Sequence, residues 1–88
     1  MDKKFLDKVL DQIVSETEID YEKGIIHFPF INRSLFASSF NPPFFPSSLS
    51  LHLFKHCRDV YGLNNEESKY VWEEYKQIIK DKLKNNGL

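Results

Sequence analysis

A small, mainly helical α+β domain is the fold class this sequence predicts. Three observations carry that prediction. Apolar residues recur at helical spacing over 3–16 and again over 65–84. Residues 17–22 switch to a period of two, the signature of a strand. Gly62 leaves a link of only a few residues between two helical stretches, which makes them antiparallel neighbours. The predicted order within a single domain 1–88 is helix 3–16, hairpin 17–30, aromatic Pro/Ser loop 31–46, helix 47–61 and helix 65–84.

In "KKFLDKVLDQIVSE" the residues Phe5, Leu6, Val9, Leu10, Ile13 and Val14 come as adjacent pairs every four residues. They cover about half of a helical wheel at 100° per residue, so this helix is expected to touch two neighbours. Asp2 is placed to cap it. Glu18, Asp20 and Glu22 then alternate with Thr17, Ile19 and Tyr21, giving a strand with one acidic face. Gly24 can take the positive φ that a tight turn needs. "IIHFPF" reads as the returning strand, with Ile26, Phe28 and Phe30 on one face and Pro29 restricting it to an edge. Residues 31–46 show no periodicity and read as one loop, longer than compact domains usually contain without a reason.

The second helix opens at Ser47 or Ser48 behind Pro46, with Leu49, Leu53, Phe54, Cys57, Val60 and Tyr61 as its apolar arc. Gly62 followed by Leu63 reads as a Schellman-type stop. Asn64 and Glu67 have the spacing of a capping box. In the third helix Val71, Trp72, Tyr75, Ile78, Ile79 and Leu83 form the buried face. Tyr70 projects about 80° from the edge of that arc. Glu66 and Glu67 at its start and Lys80, Lys82 and Lys84 at its end suit the helix dipole.

Composition narrows the function classes. A net charge of −1 supplies no overall field for nucleic acid or anionic lipid. The charge is uneven, however: residues 25–63 hold three bases and one acid, whereas residues 1–24 hold seven acids and four bases. A single cysteine, Cys57, excludes an internal disulfide and fits a reducing, cytoplasmic setting. "MDKKFLDKVL" threads charges through its apolar residues and does not read as a secretory leader. The uncharged stretch between Arg33 and Lys55 is broken by Pro42, Pro43 and Pro46 and is rejected as a membrane span.

Chemistry-bearing motifs are sparse. His52 and His56 stand four apart on one helical face, yet no further ligand of metal-site spacing joins them, so they read as solvated and no metal is assigned. Cys57 falls inside the apolar arc and reads as an inert buried thiol. The acids at 16, 18, 20 and 22 read as the protective charge of an edge strand. With no glycine-rich phosphate loop, no GxSxG and no evident cleft, the chain reads as non-enzymatic, with no cofactor and no small-molecule substrate. Aromatics are dense in residues 28–45 but only Arg33 accompanies them, which is a poor match to a nucleic-acid groove.

That leaves the central segment. Residues 28–48 hold six of the eight phenylalanines and all four prolines. Its rings either close the core or project as anchors for another protein, stiffened by proline. The expected binding residues are Phe36, Phe40, Pro42, Pro43, Phe44 and Phe45, with Tyr70 as an outlier. The expected partner is another protein or a second copy of the chain. The alternative is a small nucleic-acid-binding regulator that uses the lysine-rich end of the third helix.

The block "HCRDVYGLNNEESKYVWEEYKQIIKDKL", residues 56–83, resembles small uncharacterised proteins of marine phage genomes, and the likeness extends loosely to "FLDKVLDQIVSETEIDY". It covers about a third of the chain and brings no catalytic or binding motif. What the resemblance implies is a phage-like origin, with a role as a virion component or as a binder of a host protein in the host cytoplasm.

Overall fold

The computed structural model describes residues 2–37 and 47–87. Their elements are α1 (Lys3–Glu16), β1 (Glu18–Asp20), β2 (Ile25–His27), β3 (Ser34–Phe36), α2 (Ser47–Tyr61) and α3 (Asn65–Asn85). The fold is mainly helical α+β and ends in a helical hairpin, as the periodicities predict.

Local chemistry sets the ends of the helices. The Asp2 carboxylate accepts from the Phe5 amide at 3.3 Å and caps α1. At the other end the Thr17 hydroxyl donates to the Ile13 carbonyl at 2.8 Å, so the residue that leaves the helix also closes it. Asn64 and Glu67 form the reciprocal capping box at the start of α3. The stop after α2 differs in detail from the expected Schellman motif. Gly62, at φ 67°, donates to the Arg58 carbonyl at 3.1 Å, the single bond of the αL motif. Leu63 reaches past the Schellman partner to the Cys57 carbonyl at 3.2 Å and buries its side chain.

α3 is the central support, with α1 and α2 both packed against it. Its Val71, Trp72, Tyr75, Ile79 and Leu83 meet Leu6, Val9, Leu10 and Ile13 of α1 and Leu49, Leu53 and Cys57 of α2 in one buried cluster. Because one principal partner covers α1, its buried stripe is narrower than the predicted half-wheel, and Phe5 stays 43 % exposed. Val60, expected inside the arc of α2, is instead exposed.

The sheet corrects the sequence reading in two places. Residues 31–46 are not one loop: Ser34–Phe36 forms a third strand, and the antiparallel order is β1-β2-β3. A strand of three residues is too short to show a period. β2 is therefore the middle strand and not an edge, and it escapes the Pro29 restriction by ending at His27. Its register aligns Ile19, Ile26 and Leu35 across the three strands, with Ile26 fully buried and the outer two half-buried against the core. Asp20 also departs from its expected role on an acidic face. Its carboxylate accepts from the Lys23 amide at 3.0 Å, and its carbonyl from the Gly24 amide at 2.8 Å, so it builds the turn.

Among the described residues no helix is long and apolar enough to cross a membrane. Ser68 is the one buried polar side chain they contain; its Oγ has no hydrogen bond of normal geometry and lies against the Cys57 thiol. An unsatisfied buried hydroxyl contributes nothing that alanine would lose. Ser68→Ala is thus expected to leave the urea midpoint unchanged or raise it by up to about 1 kcal/mol of stability. A loss near 2 kcal/mol in urea unfolding would instead show a working Ser68–Cys57 hydrogen bond.

Candidate functional site

Of the residues singled out in the sequence, Phe36 is the one the structure leaves open. It is 66 % exposed at the end of β3. It pairs across the sheet with Ile25, and together with Ser34 and Leu35 these two line a shallow depression of about 140 Å³. β3 is an edge strand among the described residues. Phe40, Pro42, Pro43, Phe44 and Phe45 lie outside the described residues.

Tyr70 is not a projecting ring. It packs against the core and donates its hydroxyl to Asp7 Oδ1 of α1 at 2.9 Å. The reach of the tyrosine side chain carries the ring back from its wheel position onto α1. The bond to the Asp7 carboxylate, with some burial, holds its phenol above the ordinary range.

A second surface was not legible as a unit. The turn at residues 29–33 folds against α2, so Phe30 rests on Phe28 at 5.3 Å and edge-on to Tyr75 at 5.7 Å between ring centres. His52, Lys55, His56 and Asp59 lie at i, i+3, i+4 and i+7 and share one face of α2. Phe30, Ile31, Asn32, Arg33 and His52 line a cavity of about 340 Å³. Phe30 and His52 also border a second cavity of about 270 Å³, with Lys55, His56, Asp59 and Val60. Phe30 and His52 line both, so the two cavities adjoin as a groove with an aromatic wall, with Arg33 at the first and Lys55 and Asp59 at the second.

His56 corrects the expectation of two solvated histidines. Its ring is half-buried between Phe30, at 6.2 Å, and Tyr61, edge-on at 5.8 Å. Its Nε2 is buried and has no hydrogen-bond partner among the described residues. His52 stays exposed. Among the described residues no three His, Cys, Asp or Glu side chains gather to hold a metal.

The charges in the groove are unevenly matched. Asp59 is engaged by Arg58 at 3.4 Å, an exposed pair worth little in stability. Arg33 and Lys55 have no ion pair among the described residues. Behind the groove, burial pushes the Cys57 thiol up to about 11, with a smaller downward pull from Ser68, so the thiol is no nucleophile near neutral pH. Burial also raises the Tyr61 phenol, helped by Glu16 and Cys57.

Comparison with protein families, with curated proteins and with solved structures returns no match for this chain.

Proposed function

We propose that this chain is a non-enzymatic protein-interaction or assembly module that docks through the end of β3 and the Phe/Pro segment following it. The observation that carries this reading is Phe36, a large ring two-thirds exposed beside Ile25 on an edge of the sheet. Edge strands with an exposed aromatic favour pairing with another chain through backbone hydrogen bonds plus ring burial. Five further residues of the proposed anchor set, Phe40, Pro42, Pro43, Phe44 and Phe45, follow within nine positions of Phe36. Proline stiffness there reduces the entropy lost on docking. The phage resemblance of residues 56–83 agrees with a virion-assembly or host-binding role.

A second copy of the chain is the partner to test first. Sedimentation of the wild type over about 1–500 μM is expected to show a reversible dimer, because self-association follows mass action. Phe36→Ser is expected to stay monomeric with stability within about 0.5 kcal/mol, as for other surface substitutions. A monomer at every concentration would remove self-association and leave a foreign protein as the partner. Hydrogen exchange in a dilute monomer that protected residues 38–46, beyond β3, as strongly as the helices would overturn the reading altogether, since those residues would then be core.

A further inference from the structure

We infer that the groove between the 29–33 turn and α2 is a nucleotide site, holding a phosphate between Arg33 and Lys55 and laying a base on Phe30. The inference uses none of the residues of the β3 docking surface and stands apart from it.

The groove draws on a net positive stretch of the sequence. Residues 25–63 carry Arg33, Lys55 and Arg58 against the single acid Asp59. Arg33 on the turn and Lys55 on the helix line the groove without an ion pair among the described residues, and together they outnumber Asp59, which lines it beside Lys55 and also meets Arg58 at 3.4 Å. A guanidinium offers a planar fork of donors and an ammonium a mobile point charge, the pair of groups that phosphate recognition commonly uses. His52, which borders both cavities, adds an imidazole donor between them.

The aromatic wall narrows the ligand class further. Phe30 meets Phe28, Tyr75 and His56, and what remains of its ring lines both cavities. A base stacks on such a ring without needing sequence-specific contacts. His56 stands in the same wall, with a buried Nε2 that has no hydrogen-bond partner among the described residues. The larger cavity, about 340 Å³, falls within the roughly 300–1,000 Å³ range of small-ligand sites. Inorganic phosphate would use only the rim and a neutral aromatic only the wall. A nucleotide uses both.

The test is a titration of isotope-labelled protein followed by amide NMR, with inorganic phosphate, adenosine monophosphate and a short single-stranded oligonucleotide as probes. The expected result is shifts concentrated at residues 30–33 and 52–59. Adenosine monophosphate is expected to bind about tenfold more tightly than phosphate, the scale of one base–aromatic stack. The double variant R33A/K55A should weaken it by about tenfold or more, as loss of charge-assisted hydrogen bonds does. Both side chains lack ion pairs among the described residues, so the variant is expected to keep the wild-type spectrum elsewhere. Tighter, steeply salt-dependent binding of the oligonucleotide would identify a strand as the source of the nucleotide. Equal affinity for adenosine monophosphate and the oligonucleotide would identify the free nucleotide. Three results would each overturn the inference: no shifts with any probe, phosphate binding as well as adenosine monophosphate, or binding indifferent to R33A/K55A.

Discussion

Replacing Tyr75 with alanine is expected to leave this domain unfolded or nearly so. Tyr75 is fully buried in the middle of α3, stacked on Trp72 at 6.3 Å and met edge-on by Phe30 at 5.7 Å. Its hydroxyl lies 2.8 Å from Thr17 Oγ1. Because the Thr17 hydroxyl already donates to the Ile13 carbonyl, Tyr75 is the donor in this pair. One side chain therefore joins α3 to the turn at 29–33 and to the end of α1. Truncating a buried aromatic to alanine costs about 3–5 kcal/mol. A domain of this size has a total stability near the lower end of about 5–15 kcal/mol. Tyr75→Phe separates the two contributions: the ring stays, the Thr17 bond goes, and the loss should be about 1 kcal/mol. Urea unfolding of both variants checks this. A Tyr75→Ala protein with a cooperative transition within 1 kcal/mol of wild type would contradict the central place of this ring.

The second large effect is a loss of stability in alkali that begins before the lysines titrate. The Cys57 thiol rises from 9.0 to about 11, chiefly through burial and against a smaller pull from Ser68. Burial also lifts Tyr75 well above the usual phenol range, against a smaller pull from Thr17, whose hydroxyl can turn toward a phenolate. Tyr61, through burial first, and Tyr70, through its bond to Asp7 first, move the same way. The sign follows from proton counts. Between a group's ordinary value and its raised folded value, the unfolded chain has lost the proton while the folded chain keeps it. Stability therefore falls as pH rises through that window and is fully present below it. For Cys57 the window runs from about pH 9 to about pH 11 and amounts to at most about 3 kcal/mol. Tyr75 extends the fall from about pH 10 upward. Urea midpoints measured from pH 8 to pH 11 should drop, and Cys57→Ala should flatten the part between pH 9 and pH 10. A midpoint constant to pH 11, or a thiol that reacts as fast folded as unfolded at pH 8, would contradict this.

The helices were legible because long periodic segments with caps state their own ends. Asp2, Asn64 with Glu67, and Gly62 each mark a boundary through chemistry that acts within a few residues. β3 was not legible, because three residues between turns carry too little pattern, and its pairing is decided by β2 and not by itself. The same limit hid the groove. The four residues of α2 and the Arg33–Phe30 turn were each visible, but they lie about twenty positions apart, and only tertiary packing brings them together. Tyr70 sits away from its wheel position because a wheel records where a Cα points and not how far a long side chain reaches back.

The position of α3 has a consequence for how the chain is made. α1 and α2 each find their main support on α3, which follows both of them in chain order. Until residues 65–85 emerge from the ribosome, the apolar stripes of both earlier helices have no surface to close on, and β1–β3 alone is too small a sheet to hold them. Partial folding from the N-terminal side therefore gains little. At about 5–20 residues per second the nascent chain carries those stripes uncovered for several seconds. Folding of these elements therefore waits for the arrival of Tyr75 and Ile79.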